Sequence, residues 1–189
     1  MTKVYLIRHC QPVNEDGTVT DRSRGLTEKG YADVPKVTRY FLEKHIDAVY
    51  CSPYRRSIDT IRQYCDESGH ELNVVEDFRE VKIGVDFQGS FGDTVKRLWT
   101  DFSYRLSDGE SYGNVQRRCI ASLLPLLKKH EGQTIAVSMH STAMSTIINY
   151  FKPDFVWENY FEVLCHTPYI ALLTLDGEKL TDIQYHHFD

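Results

Sequence analysis

The sequence predicts an α/β fold of three layers, α/β/α, around a mostly parallel central sheet, and three observations carry that reading. Val4 to Ile7, Ala48 to Cys51 and Ile135 to Met139 are short, continuous apolar runs. Continuity rather than alternation is the pattern of strands buried on both faces. Segments of helical spacing separate the runs, the order expected of βα units. Each run also stops on polar residues suited to phosphate: Arg8 and His9 after the first, Arg55 and Arg56 after the second, His140 after the third. Ligands of open α/β sheets bind beyond the carboxyl ends of the strands, so these residues should meet in one pocket.

After the first strand, residues 10 to 25 are polar and carry Pro12, Asn14, Asp16, Gly17 and Gly25, the composition of a long loop. Thr27 and Glu28 open a helix in which Tyr31, Val34, Val37 and Phe41 recur at helical spacing, with Pro35 expected to kink it. Further helices are expected near 54–67, 112–129 and 141–151. Strands are expected near 72–76, 160–165, 169–175 and 179–187, with an antiparallel addition at the C-terminal end of the chain.

The 189 residues suit one compact domain, and 41% apolar content with 12% aromatics supplies a sizeable core. Lys plus Arg number 22 against 27 for Asp plus Glu, and the net charge of -5 argues against a nucleic-acid partner. An anionic substrate is compatible with that balance, because a few clustered arginines make a positive site on an acidic protein. The five cysteines, 10, 51, 65, 119 and 165, are odd in number and form no CxxC pair. That pattern suits neither a disulfide framework nor a zinc site, and a cytoplasmic setting is expected. The apolar run before Arg8 is too short for a signal peptide, and no stretch approaches the ~20 apolar residues of a membrane span, so no membrane partner is expected.

Two histidines and at least two arginines in one pocket make a cationic site. Guanidinium forks match phosphate oxygens, and imidazole can act as nucleophile or proton donor. The residues that would build it sit in Arg8-His9-Cys10, Leu26-Thr27-Glu28-Lys29-Gly30, Ser52-Pro53-Tyr54-Arg55-Arg56-Ser57 with Thr60, Phe78-Arg79-Glu80, Gly109-Glu110-Ser111 and His140. In this order they resemble the histidine phosphatase superfamily, whose members include phosphoglycerate mutases and small-molecule phosphatases. The resemblance is to its phosphoglycerate mutase-like branch and spans Val4 to about Ile148.

That resemblance implies a phosphoglycerate mutase-like fold in a single domain, residues 1–189, with a small cap around 86–112. It implies a metal-independent phosphomonoesterase, without cofactor, that hydrolyses a small phosphorylated metabolite through a phosphohistidine. His9 would be the nucleophile, while Arg8, Arg56 and His140 would hold the phosphoryl oxygens. Arg55, the first of its pair, falls outside the pattern. Glu80 would protonate the leaving oxygen and later activate water. In the acid-phosphatase branch an Asp after the second His does this work, and here Ser141 follows His140. Asn14 and Arg22, or Arg24, in the first loop are candidates for substrate binding. In the cap, Phe87, Phe91, Trp99, Phe102 and Tyr104 either line a stacking pocket or fill core.

Two positions depart from the family pattern: Cys10 and Ser141 stand where glycines normally follow the two histidines. The Cys10 thiol is either inert and buried or, beside His9 and two arginines, disposed to ionise and oxidise. The replacements also motivate a rival reading, a catalytically weak module that senses a phosphorylated ligand. A mutase is the nearest enzymatic alternative. A cysteine-based phosphatase fails on spacing, since Cys51 and Arg56 are one residue too close. A nucleotide P-loop fails because Tyr31 stands where its lysine belongs. His186 and His187, adjacent on an expected strand, face opposite ways and make a poor metal pair. The substrate itself stays open among sugar phosphates, phosphorylated cofactor precursors and phosphoprotein side chains, and so does the oligomeric state.

Overall fold

The computed structural model describes residues 1–14, 21–84 and 90–188. At its centre lies a six-stranded sheet in the order β3-β2-β4-β1-β5-β6. The strands β1 (Thr2–Arg8), β2 (Ala48–Cys51), β3 (Leu72–Val74) and β4 (Thr134–Met139) run parallel. An antiparallel hairpin of β5 (Tyr169–Asp176) and β6 (Lys179–His187) extends the sheet beside β1. The three apolar runs are neighbours: β4 lies between β1 and β2, and its Ile135 pairs with both Val4 and Ala48. Their carboxyl ends are level, with Arg8 beside Met139 and Cys51 beside Ser138.

Successive side chains of a strand point to opposite faces, so both faces need cover. Val4 and Leu6 of β1 belong to a core with Ile135, Val137, Leu123 and Ile147, whereas Tyr5 and Ile7 belong to a second with Val37, Phe41 and Ile61. Helices α1 (Glu28–Leu42) and α2 (Arg55–Ser68) cover this second face. The first is covered by α4 (Tyr112–Lys129), α5 (Ser141–Phe151) and α6 (Trp157–Cys165), with α3 (Phe91–Thr100) packed on α6. The result is the expected α/β/α arrangement. Among the described residues no helix is long and apolar enough to cross a membrane.

The Leu26 to Gly30 motif has a local reason. Thr27 Oγ1 caps α1 by accepting from the Gly30 N–H at 3.0 Å. A Cβ at Gly30 would stand 2.3 Å from the Gln11 carbonyl oxygen, so only glycine lets the first turn of α1 lie against the chain leaving β1. The helix runs on past Pro35 to Leu42. Val34, Val37 and Phe41 are buried as expected, but Tyr31 is exposed and donates its hydroxyl to Asp59 at 2.7 Å.

The strand expected over 160–165 is instead the second half of α6. Its aromatic and β-branched composition suits a strand, yet burial follows the helical period: Tyr160 and Val163 are buried while Phe161 is 54% exposed. A strand would have set Phe161 and Val163 on one face. The Asn159 side-chain oxygen closes the first turn by accepting from the Val156 N–H at 2.9 Å.

Candidate active site

The carboxyl ends of β1, β2 and β4 deliver the site. The His9 N–H donates to Met139 O at 3.1 Å and the Ser52 N–H to Ser138 O at 2.9 Å, so the three chains leave the sheet together. Arg56 lies in the first turn of α2, one turn beyond β2. Thr60 fastens it to β1: its hydroxyl donates to Arg56 O at 2.8 Å and accepts from the Cys10 N–H at 2.9 Å.

His9 is buried, and its two ring nitrogens have distinct roles. Nδ1 lies 2.7 Å from the Cys10 carbonyl, an acceptor only, so Nδ1 carries the proton and donates. Nε2 keeps its lone pair, which accepts from Arg56 Nε at 3.2 Å. Burial first, then the charges of Arg56 and Arg8, hold His9 well below the usual histidine pKa, and the imidazole is neutral. A neutral ring with a directed lone pair is what nucleophilic attack requires.

The ring of His140 stands edge-on to His9, centroids 5.1 Å apart, and it too is held neutral by burial and by Arg56. Its Nε2 is 2.7 Å from Ser52 Oγ, which already accepts the Tyr54 N–H at 3.2 Å. The Ser52 hydroxyl can donate to Nε2 or accept from it, and when it donates the ring proton sits on Nδ1. That Nδ1 is buried with no protein partner. Arg8 repeats the pattern: Nη1 donates to the carbonyls of Val163 and His166, at the end of α6, while Nε is buried without a partner. Burial brings Arg8 down to about 10, still a cation at neutral pH.

Arg56 is 1% exposed, and its guanidinium faces Asp21. Nη1 donates to the Asp21 carbonyl at 2.7 Å and lies 3.0 Å from its Oδ1, while Nη2 is 3.4 Å from Oδ2. Arg24 Nη2 reaches the same carboxylate at 3.0 Å. Of the two arginines offered in the first loop, Arg24 lines the site and Arg22 does not. Arg22 turns outward into a bidentate surface pair with Glu76, at 2.8 and 2.9 Å. Asn14 is exposed and outside the cavity. Arg55 is likewise exposed, paired with Asp59.

Glu80 enters from the segment after β3 and caps α5. That helix has no side-chain cap of its own, since its N-cap residue is His140. Glu80 Oε2 accepts from the Thr142 N–H at 3.2 Å and the Ser141 hydroxyl at 3.2 Å. Oε1 accepts from the N–H of Val81 at 2.9 Å and of Ala143 at 3.3 Å. A carboxylate at a helix N-terminus meets both unpaired amides and the positive end of the dipole. Arg118, from α4, fixes the segment by donating to the carbonyls of Asp77, Arg79 and Glu80. The Glu110 carboxylate in turn grips Arg118 at 2.9 and 3.0 Å, which gives the Gly109-Glu110-Ser111 motif its purpose. Nothing in the spacing of Arg118 signalled this.

Asp21, Arg24, Arg56, Glu80, Ser141 and Thr142 open on a cavity of about 520 Å³ whose far wall is Val81, Ile83, Val95, Tyr160 and Leu164. Of the cap aromatics among the described residues, only Phe91 lines it. Trp99 stacks on Tyr160 at 4.4 Å in the core, Phe102 packs on that core, and Tyr104 lies under Arg97. Phe87 lies outside the described residues. Cys10 is fully buried in the α1 and α2 core, and burial pushes its thiol up to about 12, which removes the basis for a reactive thiolate. Among the described residues no non-glycine has positive φ, so neither Cys10 nor Ser141 is strained where glycine is usual. No three His, Cys, Asp or Glu side chains cluster as metal ligands among the described residues, His186 and His187 included.

Known proteins resemble this chain in sequence and in fold. Phosphoserine phosphatase 1 of Hydrogenobacter thermophilus is 24% identical over 157 residues, covering 76% of this chain and 73% of its own. Another protein of that organism, named for the same activity, is 27% identical over 192 residues, 96% of this chain and 93% of its own. Among solved structures, a mutant phosphoserine phosphatase from Entamoeba histolytica in complex with phosphoserine superposes with a TM-score of 0.76 at 22% identity, covering 97% and 96% of the two chains. At that identity the likeness is one of fold. The sequence model of the histidine phosphatase superfamily (branch 1) matches residues 4–184, and the chain belongs to that superfamily.

Proposed function

We propose that the chain is a phosphomonoesterase, working without metal or cofactor, that moves the phosphoryl group of a small metabolite first to His9 Nε2 and then to water. One observation carries this reading: a neutral His9 presents its lone pair to Arg56, and two buried nitrogens of the neighbouring Arg8 and His140, Nε and Nδ1, have no protein partner. Phosphoryl oxygens would satisfy those nitrogens, and their charge in the transition state would be met by fixed cations and dipoles.

In the first step His9 Nε2 attacks phosphorus, the ester oxygen leaves with the electron pair of the P–O bond, and Glu80 supplies its proton. In the second, Glu80 takes a proton from the attacking water, and phosphate departs with His9 restored. Arg8, Arg56, Arg24 and His140 hold the phosphoryl group throughout. The relatives named phosphoserine phosphatases support a small phosphorylated substrate. A mutase would need further cations to hold a bisphosphate as it turns, and Lys82, the remaining cation of the cavity lining, is already paired with Asp108. The net charge of -5 speaks against a nucleic-acid partner, and the scattered, odd cysteines suit the cytoplasm. We read the chain as one domain with a small cap around 86–112, of which residues 86–89 lie outside the described residues and α3 lies beside the cavity through Phe91 and Val95.

The test is a phosphoenzyme labile in acid and stable in alkali, trapped from a labelled phosphate ester and mapped to His9. Turnover should persist in EDTA and stop with vanadate. Unchanged labelling in His9→Ala, or activity lost in chelator and regained with metal, would refute the mechanism.

A further inference from the structure

Glu80 must alternate between acid and base in the proposed cycle, and the groups around it differ in which form they can serve. Val81, Thr142 and Ala143 each present a backbone N–H, a donor fixed by the chain that can never accept. Ser141 Oγ, 3.2 Å from Oε2, is the one hydroxyl among the four donors. A hydroxyl can turn: it donates to a carboxylate and accepts from a carboxyl O–H.

We propose that Ser141 is a positioning residue that makes Oε2 the atom of Glu80 that carries the proton. A proton on Oε1 would face two amide hydrogens, those of Val81 and Ala143. On Oε2 it faces one amide hydrogen, that of Thr142, and one hydroxyl that reverses to accept it. Ser141 and Glu80 both line the cavity, so the proton is kept on the substrate side. As the ester oxygen leaves, the Oε2–H bond breaks, the oxygen takes the proton, and the Ser141 hydroxyl swings back to donate to the carboxylate. When water attacks the phosphohistidine, the water proton passes to Oε2 and the hydroxyl reverses again. Glycine, usual at this position in the family resemblance, has no group to do this. The inference rests on the proposed role of Glu80.

The test measures single-turnover phosphorylation by an alkyl phosphate, whose leaving oxygen needs a proton, and by an aryl phosphate, whose leaving oxygen needs it far less. Ser141→Ala and Ser141→Gly should slow the alkyl reaction about 10-fold and the aryl reaction less than about twofold, the scale of one hydrogen bond to a charged group. Ser141→Thr, which keeps the hydroxyl, should stay within about threefold on both. In a Glu80→Gln background, Ser141→Ala should add nothing. Equal losses on both substrates, an unchanged alkyl rate, or full additivity with Glu80→Gln would overturn the proposal. An alkyl-to-aryl ratio unchanged by Glu80→Gln alone would instead identify the Glu80 reading as the failure, and this inference would fall with it.

Discussion

Arg56 Nε donates to His9 Nε2 at 3.2 Å, so the arginine proposed to hold the phosphoryl group also holds the lone pair that attacks it. The bond aims the ring and must be exchanged for phosphorus at the moment of attack. Arg56→Ala should therefore lower kcat/KM by about 10²- to 10³-fold, as removal of a fixed transition-state donor does. Arg56→Lys should recover little, because an ammonium cannot supply the planar fork. Steady-state kinetics on an aryl phosphate measure both, and a loss below tenfold would remove Arg56 from the transition state.

Asp21 offers Arg56 and Arg24 a carboxylate of the same sign and similar fork geometry as a phosphate. A phosphoryl group bound at these arginines competes with it. Asp21→Asn keeps the shape and removes the charge, and inorganic phosphate should then inhibit at roughly threefold to tenfold lower concentration, the scale of one charge-assisted contact. An unchanged inhibition constant would mean that phosphate and Asp21 share the arginines without competition.

Arg22 and Arg24 should part company in kinetics. Arg22 is in an exposed surface pair, and such pairs contribute little, so Arg22→Ala should leave turnover within about twofold. Arg24→Ala removes a cavity cation and should raise KM about 10-fold with a smaller effect on kcat. The reverse ranking would return Arg22 to the site.

His9 and His140 are both held neutral well below their ordinary value of 6.5. As pH falls the unfolded chain binds these protons first, so stability is full above about pH 6.5 and drains as pH falls toward the folded-state values, by up to ~1.4 kcal/mol per pH unit for each ring. The Tm should fall between about pH 6.5 and 5, and less steeply in His140→Gln. Thermal melts across that window check it; an unaltered slope would mean that His140 takes up its proton in the folded state.

Among the cysteines, exposed Cys165 and buried Cys10 should react differently. With the Cys10 thiol pushed up to about 12, iodoacetamide should label Cys165 in the native protein and Cys10 only after denaturation, as read by mass spectrometry. Activity of Cys165→Ser should withstand mild peroxide. Inactivation that persists in that variant and vanishes in Cys10→Gly would reinstate a redox role for Cys10.

What the sequence by itself determined was the three apolar strands and the residues at their ends. Continuous apolar runs between helical segments dictate strands covered on both faces, and a side chain just past such a run has nowhere to go but the rim of the sheet. His9, Arg8, Arg56 and His140 were legible for that reason, and Glu80 through its motif. Local pattern failed where two periods compete, as over 160–165, because Tyr160, Val163 and Phe161 declare their faces only when packed against the rest. It could not separate Arg22 from Arg24, neighbours in a polar loop with no periodicity, nor foresee that Asp21 would face Arg56 or that Arg118 would hold the segment of Glu80. Those choices, like the burial of Cys10, belong to the tertiary structure. They are contacts between segments far apart in the chain, and a charge or thiol takes its character from the partner and the solvent it meets there.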